Sequence, residues 1–215
     1  MLRNWYLTHQ IALTMYKFAA ASGNELIVFG SARPGYSNEQ VTEWIEFMQN
    51  QNIKRVCCLL PESQLSRYAN LLDIYRQTFG LDRICWTPIK DFHFATPEIL
   101  IHQILPFLAT ANQEDEKVVV HCSGGIGRTG HILAAWLVAG RGLSNKAAID
   151  AVKQTGKNPY EAVIAAPFKG RNPWKVAAEL NLLLDECNRW RGNKNLALLN
   201  SGMNHCGTGT SPNLR

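Results

Sequence analysis

KVVVHCSGGIGRTGHILAAWLVAG, residues 117–140, is the stretch from which the rest of the chain can be read. Lys117 to His121 is a short, β-branched apolar run of the kind that forms a strand buried on both faces. Cys122 to Gly130 is rich in glycine, and His131 to Ala139 then reads as an apolar helix with Gly140 as its expected stop. Strand, glycine loop and helix in that order place the loop at a helix N-terminus, where several backbone N–H groups point at one place and suit an anion. Glycines let the backbone approach that anion without Cβ clashes. Arg128 can hold two phosphate oxygens in a planar grip. Such a field favours the thiolate form of a cysteine, its nucleophilic form. Beside a bound phosphate, Cys122 can attack phosphorus and form a covalent phosphocysteine. Thr129 is spaced to hydrogen-bond the sulfur and help it leave in a second step. At average residue frequencies the combination of His121, Cys122, Gly125, Arg128, Thr129 and Gly130 arises by chance with a probability of roughly 10⁻⁵.

Outward from this segment, strands alternate with helices. ELIVFG (25–30), IKRVCCLL (53–60) and RICWTPI (83–89) read as further strands. Ser37 and Gln40 form a capping-box pattern ahead of Val41, Trp44, Ile45 and Met48. Leu65, Tyr68, Leu71, Leu72, Tyr75 and Phe79 make one face of a helix ending at Gly80. Thr96-Pro97 opens a helix to about Thr110, Ser144 caps another, and Asn172-Pro173 opens a last one, with Trp174, Ala177, Leu180, Leu183 and Leu184 on its face. The expected fold is α/β: a mainly parallel central sheet of four to five strands with helices on both faces, and the loop between a strand and a helix. Residues 1–24 read as an N-terminal extension, 25–191 as the domain and 192–215 as a flexible tail.

Composition narrows the function classes. The chain has 215 residues and a net charge of +5. Arg191, Lys194 and Arg215 lie in a terminal stretch without acids and account for +3 of it, and no dense Lys/Arg cluster marks a nucleic-acid arm. No run approaches the ~20 apolar residues of a membrane span. Cys57 and Cys58 are adjacent in a strand and so point to opposite faces, as core residues. The remaining cysteines form no framework, which fits a reduced, cytoplasmic protein. No Cys/His spacing resembles a zinc site, so neither metal nor cofactor is expected. His93 and His102 read as surface or partly buried residues, and Arg33 as a turn residue.

HCSGGIGRTG resembles the signature loop of cysteine-dependent protein-tyrosine and dual-specificity phosphatases. It is one alanine-to-glycine change from the HCSAGIGRTG form of tyrosine-specific members. IKRVCCLLPESQLSRYANLLDIY, WTPIKDFHFATPE and FGSARPG are most similar to the kinase-associated phosphatase branch, so the resemblance covers roughly residues 25–155. It implies a phosphocysteine mechanism with Cys122 as nucleophile and Arg128 as phosphate clamp. Ser123, Gly124, Gly125, Ile126 and Gly127 would bind phosphate, Thr129 would help the leaving group and His121 would orient the loop from beneath. Asp91, 31 residues before Cys122, would be the general acid. The phosphotyrosine-recognition and glutamine loops of tyrosine-specific enzymes are not visible, and Leu60 stands where some relatives carry a redox partner cysteine. The implied substrate is a phosphotyrosine protein, with phosphoserine and phosphothreonine also accepted; neither nucleic acid nor membrane is expected as a partner. Competing readings are a phosphoinositide or small-phosphoester phosphatase, whose relatives usually carry lysines inside the loop, a non-catalytic phosphate-binding module, and a rhodanese-like sulfur transferase.

Overall fold

The structure, a computed structural model, describes residues 12–203, with side chains for 12–194. A five-stranded sheet is ordered β1-β2-β5-β3-β4, from β1 (Ala19–Ala20), β2 (Val28–Ala32), β3 (Ile53–Cys58), β4 (Ile84–Trp86) and β5 (Lys117–Cys122). Only the β1–β2 pair is antiparallel. The expected mainly parallel α/β sandwich is what the chain forms.

β5 lies at the centre, and its side chains alternate between two cores. Val118, Val120 and Cys122 face a layer built on α6 (Gly127–Arg141), α7 (Asn145–Gln154) and α9 (Pro173–Met203). Val119 and His121 face α1 (Asn38–Asn50) and α3 (Leu71–Phe79), where Trp44 and Tyr75 are fully buried. Cys57 and Cys58 divide between the same two cores, as their adjacency in a strand requires. Each large apolar side chain buried this way contributes roughly 1.5–3 kcal/mol.

Helix starts follow their caps. The Ser37–Gln40 capping box forms reciprocally ahead of α1, and the Ser144 hydroxyl accepts from Ala147 N–H at α7. Several expected boundaries move. The face from Leu65 to Phe79 splits into α2 (Glu62–Leu65) and α3, because the chain turns between Ser66 and Asn70. The helix opened by Thr96 runs as α4 (Pro97–Ile99), widens to a π-helical stretch at Leu100–Ile104 and continues as α5 (Leu105–Gln113). Pro106 has no N–H to give and disturbs the regular ladder there. α6 does not stop at Gly140 but continues to Arg141, with Gly142 taking the left-handed turn at φ 72°. Asn172 caps α9 by accepting from the Trp174 and Lys175 N–H groups, yet Trp174 is 83% exposed; Val176 and Cys187, not Trp174, join Leu180, Leu183 and Leu184 in the core.

The domain also extends past its expected edges. Tyr16 and Ala21 are buried, β1 pairs with β2, and Tyr16 accepts the Ala32 N–H at 2.7 Å, so residues 12–24 belong to the body. α9 passes the expected boundary at 191 and reaches Met203; Lys194, Leu196, Ala197, Leu198 and Leu199 all favour helix. Residues 1–11 and 204–215 lie outside the described residues. Among the described residues no helix is long and apolar enough to cross a membrane.

One buried carboxylate ties the start of the domain to α6. Glu25 accepts from Ile27 N–H and Val28 N–H, from Trp136 Nε1 at 3.1 Å, and from Arg141 Nε and Nη2 at 2.9 and 2.8 Å. Burial alone would raise its pKa, but Arg141 and the two backbone donors outweigh it and hold the carboxyl below its ordinary range. Its contribution is therefore complete at neutral pH and is lost as pH falls through that lowered value. Glu25→Ala strands the Arg141 and Trp136 donors and is expected to cost about 3–5 kcal/mol. In thermal denaturation that is a Tm loss of roughly 10 °C; a loss under about 2 °C would show that the network contributes little.

Candidate active site

The sheet delivers four strand ends to one place. Cys122 closes β5, its carbonyl accepting from Arg33 N–H after β2, and the His121 carbonyl accepts from Leu59 N–H after β3. Thr87 N–H bonds Cys58 O and Ile89 N–H bonds Leu59 O, so the segment after β4 joins them. In open α/β sheets, sites form at such carboxyl ends. The loop then turns into α6 through Gly125 at φ 65°. A Cβ at Gly125 would lie 2.4 Å from Ala32 N, so the loop packs directly on the backbone of β2. At Gly124 a Cβ would meet nothing within 4 Å, so the glycine that departs from the commoner alanine form is sterically free.

Cys122 is 2% exposed, and two donors converge on its sulfur: Gly125 N–H at 3.3 Å and Thr129 Oγ1 at 3.1 Å. Both favour negative charge on Sγ. Arg128, also buried, is pinned from outside the loop. Its Nη1 donates to Ile89 O at 3.1 Å and Gln64 Oε1 at 3.4 Å, and its Nη2 meets Asp91 Oδ1 at 3.1 Å. The guanidinium is thus oriented by α2 and the segment after β4 together. Ser123, Gly124 and Ile126 are partly or fully exposed at the loop's outer side, while Gly127 is buried at the first turn of α6.

His121 lies beneath the loop, between Trp44 and Tyr75, its Nε2 3.3 Å from the Tyr75 hydroxyl. Burial, then Arg128 and Arg33, push its pKa down to about 3, so the ring is neutral and supports the strand end as a packed group. The Arg33 side chain is held by the turn it sits in: Nη1 donates to Pro34 O and the Tyr68 hydroxyl, and its guanidinium lies 3.6 Å over the Tyr36 ring. His93 and His102 are exposed, as expected. Among the described residues no group of three His, Cys, Asp or Glu side chains is arranged to hold a metal.

Sequence reading missed three neighbours. Glu161, at the start of α8 (Glu161–Ala165), packs against Gly127 so closely that a Cβ there would lie 1.9 Å from its carboxylate oxygen. Burial and the nearby Asp91 raise its pKa. Lys157 is buried beneath the loop and donates to Lys17 O; burial pushes its pKa down to about 8, while the field of Cys122 acts in the opposite direction. Gln64 reaches Arg128 from α2. All three stand far from the loop in sequence, inside segments without a motif.

The family described as "Dual specificity phosphatase, catalytic domain" matches residues 36–163, more than half of the chain. The chain belongs to this family. It is 32% identical over 69 residues to dual specificity protein phosphatase 5 of Homo sapiens, a stretch covering 32% of the chain and 18% of that relative's length. Among solved structures, Tk-PTP in its active form is similar at a TM-score of 0.56 and 24% identity, over 77% of this chain and 96% of its own, which speaks to the fold. Kinase associated phosphatase (KAP) with its catalytic cysteine replaced by serine is similar at a TM-score of 0.52 and 25% identity, over 61% and 78%. The resemblance drawn from HCSGGIGRTG and its flanks therefore holds, and membership sets the rhodanese-like reading aside.

The two central glycines separate sterically. Gly124→Ala is expected to leave Tm within about 1 °C of the native chain. Gly125→Ala forces an L residue to positive φ against backbone atoms and is expected to cost roughly 1–3 kcal/mol or displace the loop. Thermal melts with vanadate binding check both; equal behaviour of the two variants would contradict the packing of Gly125 on β2.

Proposed function

We propose that the chain is a metal-free phosphomonoesterase acting on phosphotyrosine proteins, with phosphoserine and phosphothreonine accepted more weakly. The observation that carries this is a buried cysteine sulfur receiving two donors, beside an arginine pinned by three partners. The loop N–H groups and Arg128 hold the three equatorial oxygens, whose charge they balance as it develops. The Cys122 thiolate attacks phosphorus, the bond to the leaving oxygen breaks, and Asp91 gives that oxygen a proton. Phosphate entering the loop takes over the Arg128 arm that Asp91 holds, and the released carboxylate takes up from solvent the proton it then gives. Water then attacks the phosphocysteine, the phosphorus–sulfur bond breaks, and Thr129 hydrogen-bonds the departing sulfur. Asp91, left as a carboxylate on the side where the leaving oxygen departed, takes the proton of the incoming water.

Depth supports the preference for phosphotyrosine. Cys122 is buried, and phosphotyrosine carries its phosphate farther from the backbone than phosphoserine does. The uncharged Ser123, Gly124 and Ile126 speak against a polyphosphorylated lipid headgroup. Free thiols at Cys57, Cys58, Cys85, Cys122 and Cys187 are in keeping with a reducing, cytoplasmic setting.

The acid gives a sharp test. Asp91→Asn keeps the shape and removes the proton. It should lower kcat on poorly leaving alkyl or phenolic phosphates by about 10²-fold or more, and on para-nitrophenyl phosphate by far less. The basic limb of the kcat–pH profile, where a required acid deprotonates, should flatten. Equal losses across leaving groups with the basic limb unchanged would remove Asp91 from this role.

A further inference from the structure

We propose that a cleft beside the acid loop is a subsite for an acidic residue neighbouring the phosphorylated side chain of a peptide substrate; this rests on the phosphatase reading above. The cleft, of about 410 Å³, lies between Asp91–His93 and the turn that follows α8. Its walls include Asp91, Phe92, Ala162, Ala166, Lys169 and Arg171. Asp91 is common to both places, since the same carboxylate meets Arg128 at the catalytic loop. A peptide whose phosphate enters at Cys122 therefore lays its neighbouring residue here.

The charges of the cleft are almost all committed. Asp91 is paired with Arg128 in the empty site, and once phosphate takes that arm it is the protonated acid of the first step, so it does not pair with a cation of the cleft. Arg171 gives Nη1 to Phe92 O at 3.1 Å and Nη2 to Glu179 at 2.9 Å, holding Phe92 in its left-handed conformation at φ 59°. His93 turns a ring nitrogen to Asp91 O. Lys169 remains. It is exposed, its ammonium stands 5.2 Å over the Phe92 ring, and it makes no ion pair among the described residues. The floor beneath it is apolar, from Phe92 and the buried Ala162 and Ala166. One unpaired cation over an apolar floor suits a side chain with an aliphatic stem and a single carboxylate, such as glutamate. A polyphosphorylated inositol would call for several donors and no such floor.

The test is a matched set of phosphotyrosine peptides carrying Glu, Ala or Lys at each flanking position, with para-nitrophenyl phosphate and a soluble inositol bisphosphate alongside. In the wild type, kcat/KM for Glu over Ala at one flanking position should be about two- to fivefold, as an exposed ion pair gives, and should shrink with added salt. Lys169→Ala should bring that ratio to about one, and Lys169→Glu should invert it in favour of the Lys peptide. The ratio within each variant is the readout, so a general loss of activity does not imitate the result. Turnover of para-nitrophenyl phosphate with no Glu preference, or a preference that survives Lys169→Glu, overturns the subsite while leaving the phosphatase reading intact. A Lys169→Glu effect confined to the inositol bisphosphate overturns it in favour of a headgroup. No turnover of any substrate by the wild type overturns the phosphatase reading, and the subsite falls with it.

Discussion

Gly125 rests on the backbone of β2, with space for a hydrogen but not a methyl group, and the geometry of the site follows from that contact. It holds the loop down so that the Gly125 N–H reaches the Cys122 sulfur, and it starts α6 where Thr129 meets the same atom. Arg128, one residue earlier on that helix, is then carried to the ends of β3 and β4, where Ile89, Gln64 and Asp91 meet its guanidinium. A looser loop would separate Cys122 and Arg128, which share it, from Asp91, which comes from the segment after β4. Pre-set donors of this kind act on developing charge without reorganising, which is where most of their catalytic value lies.

The central strand explains why both faces of the site are stiff. Alternation along β5 sends Cys122 toward α6 and His121 toward Trp44 and Tyr75. The Cys122 sulfur is therefore backed on one side by a helix whose first turn is entirely buried, and on the other by a neutral histidine between Trp44 and Tyr75. Beneath the loop, Lys157 keeps a charged group close to the sulfur at the expense of its own solvation.

Legibility in the sequence followed contiguity. HCSGGIGRTG could be read because strand, loop, nucleophile, clamp and helix start lie within ten residues, so each residue's chemistry constrains the next. Asp91 came from a resemblance, and the structure places it on Arg128. Glu161, Lys157 and Gln64 could not be read, because tertiary packing brings them to the loop from segments with no pattern of their own. The same holds for the fold. The capping box at Ser37 and the cap at Ser144 are local and were legible. The break between α2 and α3, the exposure of Trp174 and the pairing of β1 depend on distant neighbours. Gly140 shows the limit of punctuation: a glycine inside a buried helix is tolerated when the left-handed turn falls two residues later, at Gly142.

The central claim is that phosphoryl transfer runs through the sulfur of Cys122. Rapid acid quenching of the enzyme during turnover of an aryl phosphate, followed by peptide mass spectrometry, tests it directly. The account predicts one phosphoryl group on the peptide containing Cys122, accumulating further in Asp91→Asn with an activated aryl phosphate, whose first step needs no acid while the second lacks its base, and absent from Cys122→Ser. Turnover that persists in Cys122→Ser, or a phosphoryl group carried on any other residue, would contradict it.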